Sequence, residues 1–354
     1  MRTPALHTAC LLGAAALLSG SPAALAAAAA KADVAFVSLR AGDAHIFVRD
    51  ANGKEHQLTQ GRTVNLQPTL SSAGKVAFVR LHDGRSSVYV ADDPASPARK
   101  LTPSDSGTVE TAPSWAPDGS AIAFFSLEPS TGAKRVMVQD LRANTLLSVP
   151  APGDSLGPAR PDWSADGQTI AFIGTDGDRR HQVWILSRNG QNLREVSSKT
   201  SRRGAAFFSL SPDGRSVAWI ARERGRLPLM VTDLASGETR DVLAPHGGLS
   251  AEAPRWSPDG QWIAFAGSGL NPSDPRTEVF VVKADGSGLT NVSAHAGDDF
   301  DPRWTPEGRH IVFASLRSGT SLLYEVPIAG GETRSLAQHA SHDMDHITRP
   351  ALPR

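Results

Sequence analysis

One twelve-residue phrase recurs along the chain. Residues 254–265 read PRWSPDGQWIAF and residues 302–313 read PRWTPEGRHIVF. Close copies stand at 113–124 (PSWAPDGSAIAF) and 161–172 (PDWSADGQTIAF), and looser ones at 208–219 (FSLSPDGRSVAW) and 67–78 (QPTLSSAGKVAF). Their turn glycines, Gly74, Gly119, Gly167, Gly214, Gly260 and Gly308, are spaced 45, 48, 47, 46 and 48 residues apart. A fixed period of this length constrains the fold more than any composition does. A single supersecondary unit of that size cannot bury its apolar face alone and must stack on its neighbours.

The phrase itself reads as carpentry. Proline presets φ for a tight turn, aspartate or serine bonds its own backbone, and glycine accepts the left-handed conformation that turns a hairpin back. Pro258, Asp259 and Gly260 are therefore turn residues, and Glu307 replacing the aspartate in the last copy suits a turn better than a catalytic acid. The apolar run after each turn reads as a strand buried on both faces. Two further strands follow it, as in EVFVVKAD (278–285) and LTNVSA (289–294). Trp115, Trp163, Trp256 and Trp304, just before the turns, are expected to pack between units.

Counting the apolar strands gives seven: DVAFVS, KVAFVR, AIAFFS, TIAFIG, SVAWIA, WIAFAG and HIVFAS. The first, at 33–38, has no turn phrase before it. HITRPALPR (346–354) carries Pro350 and Leu352 at the proline and tryptophan positions, so it supplies the missing strand. The expected fold is an all-β, seven-bladed β-propeller of four-stranded blades over 33–354, closed by the C-terminal strand joining the N-terminal blade. Closure removes the free sheet edges of a linear array.

Residues 1–26 read as a secretory signal peptide, with Arg2, an apolar run from Ala9 to Leu18 and small residues before Ala26; residues 27–32 form a short linker. Cys10, the only cysteine, lies in that apolar run, with His7 where a lipoprotein signal would carry an aliphatic residue, so lipidation is not expected. A periplasmic or secreted protein without disulfides follows. Removing Arg2 leaves 35 basic against 36 acidic residues, out of 36 of each. That balance argues against a nucleic-acid partner or a polybasic membrane patch, and no later stretch is apolar for long enough to insert in a membrane. A monomer is expected.

PRWSPDGQWIAF together with VFVVKADGSGLTNVS (279–293) resembles the WD40-like PD40 repeat of the TolB family of envelope propellers, over essentially all of 33–354. The resemblance implies the propeller architecture and a non-enzymatic binding or scaffold role toward a protein or envelope polymer. TolB itself carries an α/β domain ahead of a six-bladed propeller, and the propeller strands here begin too soon after residue 26 for one. Propellers of this kind also precede the catalytic domain of prolyl-oligopeptidase-like enzymes. Seven-bladed oligogalacturonate lyases, which hold a histidine-bound metal, are the enzymatic alternative.

The loops opposite the SPDG turns are the expected working face. His45, His82, His181, His246, His295, His339, His342 and His346 are assigned to it. No cofactor is expected for a binding protein. The densest run, QHASHDMDHITRP (338–350), puts His339, His342 and His346 with Asp343 and Asp345, a donor set that Mn or Zn would accept in the carbohydrate-active alternative. GDSLG (153–157) spells a hydrolase signature around Ser155, but prolines flank it in a loop between strands where a nucleophile elbow needs a strand and a helix. Near the motif proline, Asn65, Glu110, Arg160, Asp298, Asp299, Asp301 and Arg349 are placed to face the channel or its mouth as binding residues, with Arg202 and Arg203 as basic contacts.

Overall fold

Each repeat folds as one four-stranded antiparallel sheet, and there are seven such sheets. The computed structural model describes residues 32–102, 107–153, 159–197, 203–269, 276–336 and 343–348. Blade 1 is built from Ala32–Ala41, Asp43–Asp50 and Glu55–Gln57, with Asp343–Thr348 paired to the first of these. In blades 2 to 7 the strands follow chain order. Their first, inner strands are Val64–Leu70, Val109–Trp115, Asp162–Trp163, Ala205–Leu210, Ser250–Trp256 and Asp299–Trp304. The only helix among the described residues is one 3₁₀ turn, Ala244–His246.

The core is an aromatic ring set by the repeat. Phe36, Phe78, Phe124, Phe172, Trp219, Phe265 and Phe313 occupy one equivalent position on the second strand of each blade, and all are fully buried. Burying each contributes about 1.5–3 kcal/mol, so the period places an anchor between every pair of blades. Most outer strands are only two or three residues long, as Arg99–Lys100 and Thr290–Asn291 show. Short outer edges offer little template for a foreign strand.

The repeated phrase does what its residues dictate. Gly260 adopts φ 70° and donates its N–H to Ser257 O at 2.9 Å. Asp259 Oδ1 accepts from Ser257 Oγ at 2.5 Å and from the Gln261 amide at 3.0 Å. The turns also stack around the ring: a Cβ on Gly308 would stand 3.3 Å from Pro258 Cδ of the preceding blade. The tryptophans lock blade to blade. The indole N–H groups of Trp163, Trp256 and Trp304 donate to the inner-strand carbonyls of Ser114, Ser209 and Arg255, at 3.2, 3.1 and 2.9 Å.

The first strands touch their neighbours all the way round, with Asp343–Thr348 lying between Asp299–Trp304 and Val64–Leu70. Its register corrects the sequence reading. Thr348 faces Val34, Ile347 faces Ala35, Met344 faces Val37 and Asp343 faces Ser38. In blade 7, Trp304, Arg303, Phe300 and Asp299 face Ile311, Val312, Ala314 and Ser315. DMDHIT is therefore the counterpart of DFDPRW, and His346 and Thr348, not Pro350 and Leu352, hold the proline and tryptophan positions. A proline is a weak anchor for register; the paired second strands DVAFVSLR (33–40) and HIVFASLR (310–317) determine it.

Three stability outcomes follow. Ending the chain after His342 removes the strand that completes blade 1, and should abolish the cooperative thermal transition of the full-length protein. Trp304→Phe keeps the packed ring but loses the bond to Arg255 O, so chemical denaturation should show a loss of about 1 kcal/mol. Trp304→Ala should cost about 3–5 kcal/mol.

Candidate functional site: a charged network on the channel strands

Inner strands carry a repeated irregularity that aims one residue differently from its neighbours. Register shifts fall between Leu66 and Thr69, Thr111 and Ser114, Glu252 and Arg255, and Phe300 and Arg303. Inside those bulges Gln67, Ala112, Ala253 and Asp301 adopt left-handed φ values of 54°, 56°, 47° and 49°. Bulges re-aim a side chain, and aspartate tolerates the left-handed region better than most residues. Gln67 uses its position to accept the Ala112 amide of the next blade at 2.7 Å.

Asp301 uses the same position to gather charges from several blades. Arg303 Nη2 lies 2.9 Å from Asp301 Oδ1, Arg255 Nη2 lies 3.9 Å from the same oxygen, and His346 Nδ1 lies 3.8 Å from Oδ2. Burial alone would raise the Asp301 carboxyl, yet Arg303, His346, Arg255 and Arg160 together hold it down at about 2. Arg255 is lowered to about 9, by burial first and by Arg303 second, while Asp301 and Asp162 pull it back. It remains a cation at neutral pH. The Asp162 carboxyl moves the other way: burial raises it, against the N–H of Leu210 at 2.8 Å and the pull of Arg255. These side chains come from blades 1, 4, 6 and 7, so the network spans the ring. Arg160 Nη1 also reaches Pro68 O of blade 2 at 2.7 Å.

Several of the other residues expected to bind have partners within the scaffold. Glu110 is buried; Oε2 accepts the Val88 amide at 2.9 Å and Oε1 accepts Thr102 Oγ1 at 2.6 Å, tying blade 3 to blade 2. Asp299 is fully buried against Arg317 Nη2, at 3.1 and 3.0 Å to its two oxygens. Arg317 stacks over Tyr324 at 4.7 Å. Asn65 Oδ1 accepts Arg80 Nε at 3.0 Å, and Arg80 lies over Tyr89. Asp298 accepts the Thr277 amide at 2.9 Å. Arg203 is exposed. Arg349, Arg202 and Ser155 lie outside the described residues.

His339 and His342 also lie outside them, and of Asp343 and Asp345 only the strand position is described. By register Asp345 holds the place in blade 1 that Asp301 holds in blade 7. His346 is fully buried, with Nε2 3.3 Å from Val312 O. Among the described residues no three His, Cys, Asp or Glu side chains are grouped to hold a metal ion. Three of the described histidines have local partners: His45 bonds Thr59 Oγ1 at 3.2 Å, His246 bonds Gly286 O at 2.8 Å, and His82 is exposed beside Asp83.

Sequence reasoning picked out Arg160 and Asp301 but passed over Asp162, Arg255 and Arg303. All three occupy the variable middle position of the P-x-W triplet, one residue before the packed tryptophan. Alternation along a strand puts that position on the side opposite the tryptophan, which was a readable signal.

Two carboxylates in one network predict opposite pH behaviour. The lowered folded pKa of Asp301 contributes stability that is full above the unfolded value, about 3.9, and is lost as pH falls toward about 2. Asp301→Asn should therefore cost about 2 kcal/mol at pH 7 and nothing below pH 2. Asp162, with its pKa raised, contributes stability in its protonated form, which is lost as pH rises. Asp162→Asn should raise the melting temperature at pH 7, and that gain should vanish as pH falls below about 4. Melting curves between pH 2 and 8 check both.

Comparison with known proteins agrees with this architecture. The chain matches the PD40 family, the TolB beta propeller domain, over residues 21–209 and 207–350. It is 28% identical over 270 residues to the Protein TolB homolog of Chlorobium luteolum, covering 76% of this chain and 58% of that protein. The chain thus spans less than two thirds of that relative. TolB from Acinetobacter baumannii superposes with a TM-score of 0.57 at 16% identity, covering 90% of this chain and 82% of the other. An oligogalacturonate lyase in complex with manganese gives 0.62 at 17% identity, covering 84% and 88%. At these identities the two structures share the fold alone. With both halves of the propeller matched, the chain belongs to the PD40 family of TolB β-propeller domains.

Proposed function

We propose that this protein is an exported, non-enzymatic binding propeller that receives a protein or envelope-polymer partner at its loop face and channel. The observation that carries this reading is the network around Asp301. Two of its groups keep fixed charges near neutral pH: neighbouring cations hold Asp301 ionised, and Arg255, although burial lowers it to about 9, stays a cation with help from Asp301 and Asp162. Fixed charges on rigid strands orient and select a ligand. Membership of the TolB propeller family and the signal-like residues 1–26 support the same role in the periplasm or outside the cell.

The metal-dependent, oligogalacturonate-lyase-like enzyme is the reading to be excluded. Elemental analysis of the mature protein should find no stoichiometric Mn or Zn, divalent ions should not shift its melting temperature, and oligogalacturonate should not be cleaved. Stoichiometric metal that disappears in a His342→Ala, His346→Ala double variant, together with cleavage, would replace the binding role with an enzymatic one.

A further inference from the structure

Two arginines of the repeated phrase are under-used by the protein that surrounds them. Arg255 donates Nη1 to Pro254 O at 2.8 Å and to Phe208 O at 3.3 Å. The one carboxylate within 4 Å of it among the described residues is that of Asp301, at 3.9 Å, beyond hydrogen-bonding reach. Its Nε is buried with no hydrogen-bond partner. Arg303 is 9% exposed; Nη2 meets Asp301, and its Nε is likewise buried without a partner. One ionised carboxylate thus serves two guanidinium groups. The other nearby acid, Asp162, already accepts the Leu210 and Trp163 amides.

A guanidinium whose Nε is buried without a partner carries a desolvation cost that an oxyanion would offset. The planar fork of arginine matches the two oxygens of a carboxylate, and paired arginines strengthen that selectivity. The site is reachable: the side chains of Arg255 and Asp301 keep 24% and 26% of their surface exposed. A singly charged group also suits the neighbourhood better than a doubly charged phosphate, because Asp301 stays ionised beside it.

We propose that the channel is an oxyanion site whose Arg255 and Arg303, assisted by Arg160, bind a carboxylate group of the ligand. This rests on the binding role argued above and names the chemistry that the channel recognises. An acidic peptide side chain and an acidic sugar both present that group.

Calorimetric titration of the full-length mature protein separates the two sources. One arm uses N-acetylglutamate N-methylamide with N-acetylglutamine N-methylamide as its neutral match. The other uses galacturonate matched with galactose, and inorganic phosphate is run alongside. At least one carboxylate should bind saturably, at least tenfold tighter than its neutral match and than phosphate. That affinity should fall at least tenfold in Arg255→Gln and recover in part in Arg255→Lys. Arg142→Gln, at an exposed side chain beside the turn residue Asp118, should leave it unchanged. The proposal is overturned if neither carboxylate saturates the native protein, if the neutral matches or phosphate bind as well, or if Arg255→Gln binds normally. Should Arg255→Gln not fold, Arg303→Lys, which keeps the charge but loses the fork, takes its place with the same criterion. A bound metal or turnover would remove the binding-only role while leaving the titration result standing, so the two readings fail separately.

Discussion

Everything in this protein depends on a ring in which every blade finds a neighbour on both faces. Each sheet carries apolar side chains on two sides, so a linear stack would leave two uncovered faces and free strand edges. Pairing of Asp343–Thr348 with Ala32–Ala41 puts the last inner strand into the first blade. That strand lies between the inner strands of blades 7 and 2. Antiparallel hydrogen bonds across this seam therefore couple regions some three hundred residues apart in sequence. The loop-closure cost of such a contact grows only slowly with length, and the buried aromatic ring supplies the compensation.

The ring also determines what the interior strands can do chemically. Around the axis, side chains from distant blades come within electrostatic reach, and here they bring three arginines, two aspartates and a histidine together. Low exposure strengthens their mutual effects, which is why Asp301 and Asp162 are driven in opposite directions by a shared environment. Such a network is costly to assemble from buried charges. Its place on the channel strands, with the Nε atoms of Arg255 and Arg303 buried and unpaired, is the ground for proposing that it recognises an anion.

Much of the fold was legible because its determinants are local. Proline, aspartate and glycine at Pro258, Asp259 and Gly260 specify a turn through their own conformational limits, and the IAF runs specify strands through their apolarity. Repetition then gave the blade count. The error in the closing strand came from weighting Pro350 over the pairing of second strands. Equivalent strand sequences, DVAFVSLR and HIVFASLR, were the better guide, since register depends on partners as well as on any one residue. Of the charged network, Arg160 and Asp301 were legible because they flank the motif proline. Glu110 and Asp299 were drawn in by the same rule, yet their carboxylates are consumed in tying blades and a stacked arginine in place. Exposure and partners, which separate a binding group from a brace, are not encoded in position along a strand.

The sequence by itself determined a seven-unit, all-β repeat with turns on one face, because glycine, proline and apolar periodicity act over a few residues. Only the tertiary structure decided that Asp162, Arg255, Asp301, Arg303 and His346 share one electrostatic environment. Apart from Asp301 and Arg303 on one strand, their separations along the chain run from tens to nearly two hundred residues, and the ring brings them together. The pKa shifts follow from that meeting, since burial and neighbouring charge are properties of the assembled channel and of no single blade.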